Sequence, residues 1–173
     1  WDRETSLPLH RALVWQDRRT TSRCEELKDK GLASTIREST GLIIDPYFSA
    51  TKFEWISRNL PAGNNYVFGT IDSWLVWKLT DGEVHATDTS NASRTMLFDI
   101  NNLTWDSELL DLFGVSESTL PEVRASNSDF GKTGKEASCG KGIPIRGIAG
   151  DQQSSLFGHA AFSKGDAKNT YGT

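Results

Sequence analysis

The stretch GIAGDQQSSLFG, from Gly147 to Gly158, decides how the chain is interpreted. Apolar residues at 143–148 predict a short buried strand, and the glycines within the stretch allow a sharp turn directly after it. Asp151 then stands at the start of a segment whose apolar residues recur at helical spacing. The pattern therefore predicts a strand, a glycine turn and a helix that opens with a carboxylate.

Asp151 has two interpretations at this point. A carboxylate at a strand-to-helix switch faces the crevice in which open α/β sheets bind ligands. With Gln152 beside it, Asp151 could accept a proton from a substrate hydroxyl while the amide orients that hydroxyl. Asp is also a favoured helix cap, so Asp151 could simply cap its own helix. The stretch alone leaves both roles open.

Composition excludes several classes of protein. The 173 residues suffice for one domain with a core, and the 23 acidic against 19 basic residues provide no basic field for nucleic acid or an anionic membrane. The apolar runs are too short for a transmembrane span, and we see no signal-peptide pattern. Two distant cysteines and three histidines argue against a disulfide framework or a zinc site. We therefore expect a cytoplasmic location.

The two ends of the sequence suggest a piece of a longer protein. The first residue is Trp1 rather than Met, and the last residues, Gly172 and Thr173, fall inside a pattern typical of a strand followed by a glycine turn. We therefore expect residues 1–173 to be an internal segment.

Helical and strand-like patterns alternate along the chain and predict an α/β or α+β domain. Ser49 is expected to be the N-cap of one helix and Gly114 the C-cap of another, while Gly31 should divide the first helical segment. The helices are expected at residues 22–40, 49–59, 71–79 and 105–113. The strands are expected at residues 66–70, 96–100, 143–148 and 167–171.

Three further positions are candidates for a ligand site. Tyr47 stands at a helix entrance and could present its hydroxyl to a small polar ligand, and Trp15 could form a wall of an apolar pocket. Both could equally be ordinary packed aromatic residues. Thr173 follows a glycine at a predicted strand end and could contact phosphates. Because GxxxxGK[ST] and GxGxxG are both missing, any nucleotide site must be of another type or lie partly outside this sequence.

Several stretches, taken in order, carry a resemblance to a known family. They are VWQDRRT at 14–20, TGLIIDPYFSATK at 40–52, FGTIDSWL at 68–75, the run at 87–97, LPEVR at 120–124, and the runs at 147–152 and 167–173. The run YFSATKFEWI at 47–56 looks like a family signature. In these motifs the sequence resembles the FGGY carbohydrate kinases over nearly all of its length, and among them the members that phosphorylate glycerol.

The resemblance implies an actin-like, ribonuclease H-like α/β fold. Residues 1–173 would be part of the N-terminal, polyol-binding domain, without the phosphate-binding hairpin or the C-terminal domain. The implied reaction is the ATP-dependent phosphorylation of glycerol to sn-glycerol 3-phosphate, with ATP and Mg²⁺ as cofactors. The family also suggests a homo-oligomer. Because the metal and other phosphate contacts would come from outside this sequence, we expect the 173 residues alone to be inactive.

The resemblance also assigns roles to individual residues. Asp151 would be the general base, and Gln152 would bind the neighbouring hydroxyls. Tyr47 would hydrogen-bond glycerol, Trp15 would pack on its carbon backbone, and Thr173 would contact the nucleotide phosphates. No residue of this sequence is assigned to the metal.

One apparent match to the family is rejected. The family binds its polyol with an Arg-Glu pair in a Gln-Arg-Glu-Thr motif, which Arg3-Glu4-Thr5 imitates. The spacing from Trp1 to Trp15 instead fits the loop that follows this motif, so the true pair should lie upstream. Two alternatives remain open: another FGGY kinase acting on a pentulose or other polyol, and a catalytically silent relative with a binding or regulatory role.

Overall fold

The computed structural model describes residues 1–60 and 65–171, and it is a mixed α/β structure. Gly172 and Thr173, the predicted phosphate contacts, lie outside the described residues. The helices are α1 (Thr21–Asp29), α2 (Ala33–Thr40), α3 (Ala50–Asn59), α4 (Ile71–Leu79), α5 (Thr89–Ala92), α6 (Ser107–Phe113) and α7 (Asp151–Gly158), with a 3₁₀ turn at Glu117–Thr119. The strands are β1 (Ala86–Asp88), β2 (Phe98–Asp99), β3 (Thr104–Trp105) and β4 (Glu122–Arg124).

The helix predictions are largely confirmed. Gly31, with a φ of +74°, lies in the break between α1 and α2, and Gly114 ends α6 in the left-handed conformation at φ +61°. Ser49 occupies the N-cap of α3, although its side chain makes no capping hydrogen bond. Helix α6 begins two residues later than predicted because Trp105 pairs with Phe98 in the β2–β3 hairpin.

The strand predictions are less successful. The predicted strand at 96–100 shortens to β2, and Tyr66 makes only an isolated bridge to Asp2. Residues 143–148 and 167–171 contain no regular strand. In the first of these segments the backbone bonds change partners, because Ile145 pairs with Phe130 and Gly131 whereas the N–H of Ile148 reaches Ser126. A single continuous ladder therefore does not form.

Two apolar clusters hold the elements together. The larger packs the first three helices against α6 and the turn before α3; its buried members include Leu27, Ile36, Phe53, Phe68, Leu97, Leu109 and Phe113. The smaller cluster joins Val76 of α4, Ala86 of β1 and Phe130, with Ile145 and Ile148 packed against it. This second cluster anchors the chain just before Asp151. None of the helices in the described residues is both long enough and apolar enough to span a membrane.

The strand topology places loops at one edge of a small parallel sheet. β1 and β4 are parallel, with Ala86 opposite Glu122 and Asp88 opposite Arg124. Their carboxyl ends therefore meet at the same edge, which is where open α/β sheets present ligand-binding loops. β2 and β3 form a separate antiparallel pair.

Candidate active site

The turn before Asp151 is held against the loops that leave β1 and β4. The N–H of Ile148 donates to the Ser126 carbonyl (2.9 Å), and the N–H of Gly150 donates to Ser90 Oγ (2.7 Å). Gly150 occupies the N-cap of α7, and Asp151 is the first residue of the helix. Asp151 is exposed, and its Oδ1 accepts the N–H of Gln152 (2.8 Å). The carboxylate therefore sits one residue inside the helix, at the edge of the sheet.

Asp151 lines a cleft of about 1130 Å³ together with Trp15 and Tyr47. Trp15 is 57% exposed and Tyr47 is 46% exposed, so neither residue is an ordinary core aromatic. Their ring centroids lie 5.9 Å apart. The structure thus brings three of the predicted site residues, widely separated in sequence, to one concave surface.

Tyr47 lies in a turn that the buried side chain of Lys52 stabilises. Asp45 Oδ1 accepts the N–H of Tyr47 (2.8 Å), and Lys52 Nζ donates to the carbonyls of Pro46 (2.6 Å) and Tyr47 (3.1 Å). Lys52 is only 5% exposed, and burial lowers the pKa of its ammonium, although Asp17 and Asp45 partly oppose this shift. Sequence reasoning missed Lys52 as a site residue, although it stands in the signature run at 47–56.

Asn91 and Arg94 line the cleft from the same segment that anchors the turn before Asp151. The side-chain nitrogen of Asn91 donates to Asp88 Oδ1 (2.7 Å). Arg94 is exposed, and its guanidinium lies over the Phe48 ring, 5.1 Å from the centroid. The sequence analysis assigned neither residue to a ligand site, and the structure places both in the lining of the cleft.

Much of the remaining lining of the cleft is apolar. Trp1 packs edge-on against Trp74, with their ring centroids 5.0 Å apart. The other apolar and aromatic residues of the lining include Trp1, Leu9, Val14, Ile56, Leu60 and Trp74. A cleft of this kind, apolar with a few convergent polar groups, is the usual form of a small-molecule site.

Two of the discussed residues lie away from this constellation. Gln152 Oε1 accepts the hydroxyl of Thr170 (2.8 Å), so its amide is engaged by the C-terminal segment. Arg3 Nη2 donates to the Ser118 carbonyl (2.8 Å), a contact outside the cleft that Asp151 lines, which agrees with the rejection of Arg3-Glu4 as the polyol-binding pair. Across residues 1–60 and 65–171, no group of three or more His, Cys, Asp or Glu side chains is arranged to hold a metal ion.

Comparison with known proteins gives the family. The model of the FGGY family of carbohydrate kinases, N-terminal domain, matches residues 1–158. The chain belongs to this family.

Among curated FGGY relatives, a glycerol kinase of Bacillus velezensis is 54% identical over the whole of this chain, which covers 36% of that protein. A glycerol kinase of Halorhodospira halophila is 56% identical, with 35% of its length covered. The chain thus spans about a third of the length of these curated relatives.

Solved FGGY kinases share the fold. The crystal structure of Plasmodium falciparum glycerol kinase with ADP matches with a TM-score of 0.89 and 39% identity, covering 95% of this chain and 34% of that one. A ligand-bound xylulose kinase of Lactobacillus acidophilus matches with a TM-score of 0.78 at 24% identity, covering 88% of this chain and 32% of that one. The predicted actin-like, ribonuclease H-like α/β fold class is thereby confirmed.

Proposed function

We propose that the protein carrying this sequence transfers the γ-phosphoryl group of ATP to glycerol, giving sn-glycerol 3-phosphate and ADP. The observation that carries the proposal is that Asp151, Trp15 and Tyr47 line one cleft. Each was assigned a role toward the polyol from its motif alone, and no two of them are neighbours in sequence. The glycerol kinases at 54% and 56% identity support the choice of substrate.

In this proposal residues 1–173 form part of the polyol-binding, N-terminal domain of an FGGY kinase. The family match over residues 1–158 supports this assignment. The nucleotide would meet the polyol at the Asp151 edge of the cleft, with Thr173 contacting its phosphates. The solved relative that contains ADP supports ATP as the phosphoryl donor.

The proposed chemistry begins at the carboxylate of Asp151. It accepts the proton of a terminal hydroxyl of glycerol as the hydroxyl oxygen attacks the γ-phosphorus of ATP. The new P–O bond forms while the bond to the β,γ-bridging oxygen breaks, and its electron pair leaves with ADP. Asp151 is exposed at the start of α7, so its carboxylate is accessible to a substrate while Oδ1 accepts the N–H of Gln152.

The remaining residues would orient the alcohol. Trp15 offers a ring surface for the carbon backbone, and Tyr47 offers a hydroxyl for a hydrogen bond. Gln152 would bind neighbouring hydroxyls after exchanging its contact with Thr170 for the substrate. Mg²⁺ would neutralise phosphate charge, but the described residues provide no carboxylate cluster to hold it.

One observation favours a second candidate. A cleft of about 1130 Å³ is larger than a three-carbon polyol requires. A longer polyol or a pentulose would fill more of it, as in a sister FGGY kinase.

The deciding experiment measures ADP release by the full-length protein with glycerol, xylulose or ribulose, for wild type, Asp151→Asn and Asp111→Asn. Asp111 is an exposed carboxylate on α6 and serves as the matched control. Glycerol-dependent turnover should fall ~10²–10⁴-fold in Asp151→Asn, because the base is lost, and stay unchanged in Asp111→Asn. Turnover with a pentulose alone would select the second candidate, and no turnover with any polyol would indicate a silent relative.

The isolated 173-residue chain should show no glycerol-dependent ADP release in the same assay. Phosphoryl transfer needs charge neutralisation at the phosphates as well as a base, and the described residues supply only the polyol side of the site. Turnover by the isolated chain would contradict the proposal that the described residues supply only the polyol side of the site.

A further inference from the structure

Asp88 is a completely buried carboxylate that accepts five hydrogen bonds. Its Oδ1 accepts the backbone N–H (3.0 Å) and the side-chain amide (2.7 Å) of Asn91. Its Oδ2 accepts the N–H of Ser90 (3.1 Å) and the hydroxyls of Ser90 (2.6 Å) and Ser126 (2.6 Å). Burial acts to raise the pKa of Asp88, but these hydrogen bonds outweigh it and hold the pKa below its usual value. The carboxylate therefore stays ionised inside the protein.

Helix capping does not account for this arrangement. Asp88 is the N-cap of α5, which has only four residues. Asp106 caps the longer helix α6 with two backbone bonds, from Glu108 and Leu109, and one serine hydroxyl, from Ser39. Asp88 makes the same two kinds of contact but adds a second serine and an amide. Among these partners Ser90 and Asn91 lie within three residues of Asp88, whereas Ser126 lies 38 residues away and follows β4.

Both serines that bind Asp88 also bind the turn before Asp151. The Ser90 hydroxyl gives its proton to Asp88, so a lone pair of Ser90 Oγ accepts the N–H of Gly150 (2.7 Å). The Ser126 hydroxyl likewise donates to Asp88, while the Ser126 carbonyl accepts the N–H of Ile148 (2.9 Å). Asp88 therefore sets the orientation of Ser90 and the place of Ser126, and these two residues hold both sides of the turn.

The backbone of the turn passes close to the backbone of Ser126 and to the side chain of Gln153. A Cβ added at Gly150 would lie 2.5 Å from Gln153 Oε1, and one added at Gly147 would lie 3.3 Å from the Ser126 carbonyl oxygen. The backbone thus approaches its neighbours closely on both sides of Ile148. With α7 starting at Asp151, a shift in the turn moves the carboxylate with it.

From these contacts we propose that Asp88 is a positioning residue for Asp151. Through Ser90 and Ser126 it holds the turn at 148–150, and so sets where the Asp151 carboxylate meets the substrate hydroxyl. This inference rests on the proposed role of Asp151 as the general base. It predicts that changes at Asp88 alter the phosphoryl-transfer step rather than nucleotide binding, because the hydrogen bonds of the network lead to the turn that carries Asp151 and none of its residues is assigned to the nucleotide.

The test uses Asp88→Asn in the full-length protein, with Asp106→Asn as the matched control. Asn is as good an N-cap as Asp, so Asp106→Asn keeps both of its capping bonds, which share one oxygen, and Asp88→Asn keeps the bond from the Asn91 N–H. In Asp88→Asn, however, an amide nitrogen replaces an oxygen that faces the Ser90 N–H and two hydroxyls, so the Ser90 N–H faces another donor. A misplacement of about 1 Å at a reacting group can cost ~10²-fold in rate. We expect kcat to fall roughly 10–100-fold in Asp88→Asn, with the KM for ATP unchanged, and Asp106→Asn to retain wild-type kcat.

A second pair of variants tests the connection itself. Ser90→Ala removes the acceptor of the Gly150 N–H, whereas Ser93→Ala, in the same short segment, removes only a hydroxyl that donates to the Ser90 carbonyl (2.8 Å). Ser90→Ala should lower kcat and Ser93→Ala should not. If Asp88 acts through Ser90, the double variant Asp88→Asn/Ser90→Ala should be no slower than Asp88→Asn alone, since linked positions are not additive.

The outcomes separate the two proposals. If Asp151→Asn remains active, the proposed base is wrong. If Asp151→Asn is inactive but Asp88→Asn and Ser90→Ala keep the kcat of their controls, Asp88 has no positioning role. Equal losses of kcat and equal losses of melting temperature in Asp88→Asn and Asp106→Asn would also overturn the inference. Such a result would report a loss of stability alone. If Asp88→Asn does not fold, the comparison of Ser90→Ala with Ser93→Ala still decides.

Discussion

The rings of Trp15 and Tyr47 lie 5.9 Å apart, centroid to centroid, with an angle of 49° between their planes. Trp15 comes from the irregular segment before α1, and Tyr47 comes from the turn before α3. Both rings remain substantially exposed inside the cleft that Asp151 lines. The pair therefore supplies the aromatic surface and the hydroxyl that the proposed glycerol site would use.

Tyr47→Phe tests the hydroxyl of this pair. The change keeps the ring and its contact with Trp15 but removes one hydrogen bond, which is worth about 0.5–1.5 kcal/mol. We expect the KM for glycerol to rise roughly 2–10-fold, with the KM for ATP unchanged, as measured by steady-state kinetics. Tyr66→Phe, at a tyrosine in the same cleft that was assigned no substrate contact, is the control. Equal KM values in the two variants would argue against a Tyr47–glycerol bond.

Lys52→Met should loosen the turn that carries Tyr47. The variant retains the length of the side chain but leaves the carbonyls of Pro46 and Tyr47 without the ammonium that donates to them. Leaving buried acceptors unpaired costs about 1–3 kcal/mol in the free energy of unfolding, and the KM for glycerol should rise as Tyr47 loses its position. Urea titration and steady-state kinetics measure the two effects.

Lys28→Met is the control for Lys52→Met. Lys28 forms an exposed ion pair with Glu25, and exposed pairs of this type contribute about 0–1 kcal/mol. A loss of stability in Lys52→Met no greater than that in Lys28→Met would show that the buried ammonium does not support the turn.

Glu54 has a buried carboxylate that pairs with two arginines. We expect substitutions of these arginines to lower the free energy of unfolding by unequal amounts. Arg23 Nε lies 2.9 Å from Glu54 Oε2 and is half-buried, whereas Arg58 Nη2 lies 2.6 Å from Glu54 Oε1 but belongs to a side chain that is 68% exposed. Because solvent can replace an exposed partner, Arg23→Met should cost about 1–3 kcal/mol and Arg58→Met about 0–1 kcal/mol. Denaturant unfolding of both variants measures the difference, and a larger loss in Arg58→Met would refute the explanation.

We expect the protein to lose stability in mild acid because of His85. Its Nε2 donates to the Phe68 carbonyl (2.7 Å), and its ring packs against Trp1 and Trp77. Burial lowers the pKa of His85 to about 4. Between the unfolded pKa of about 6.5 and this value, the unfolded chain binds a proton that the folded chain does not. The stabilisation is therefore complete above pH 6.5 and is lost as the pH falls toward 4.

The size of this effect follows from the shift. At about 1.4 kcal/mol for each pKa unit, the full loss is on the order of 3 kcal/mol. His85→Gln keeps a donor for the Phe68 carbonyl without titrating, so the dependence of unfolding free energy on pH between 6.5 and 4 should flatten. The exposed His159 is the control, and His159→Gln should leave the profile unchanged. Parallel profiles for wild type and His85→Gln would rule out His85 as the acid-sensitive group.

Local sequence patterns predicted every helix in the described residues except the four-residue α5. The break at Gly31 and the end of α6 at Gly114 follow from the backbone freedom of glycine, which acts within one turn of the chain. Helix α7 begins at Asp151 for a similarly local reason, because Gly150 ends the extended segment before it. The strands were harder to predict from the sequence, since a strand forms only where a partner strand lies beside it. Residues 143–148 have strand-like composition but divide their hydrogen bonds between two segments.

The sequence by itself determined the family, the helices and the identities of Asp151, Trp15 and Tyr47 as candidate residues, because motifs and helix signals depend on neighbours in the chain. Only the tertiary structure decided that these three residues line one cleft and that Lys52 closes the turn beneath Tyr47. Likewise, only the structure connected Asp88 to the turn before Asp151. The connection from Asp88 arises where the carboxyl ends of β1 and β4 meet, and contacts between segments so distant in sequence leave no periodic or local signal. The bonds of Lys52 span only five and six residues, but they depend on the folded path of the turn rather than on a sequence pattern.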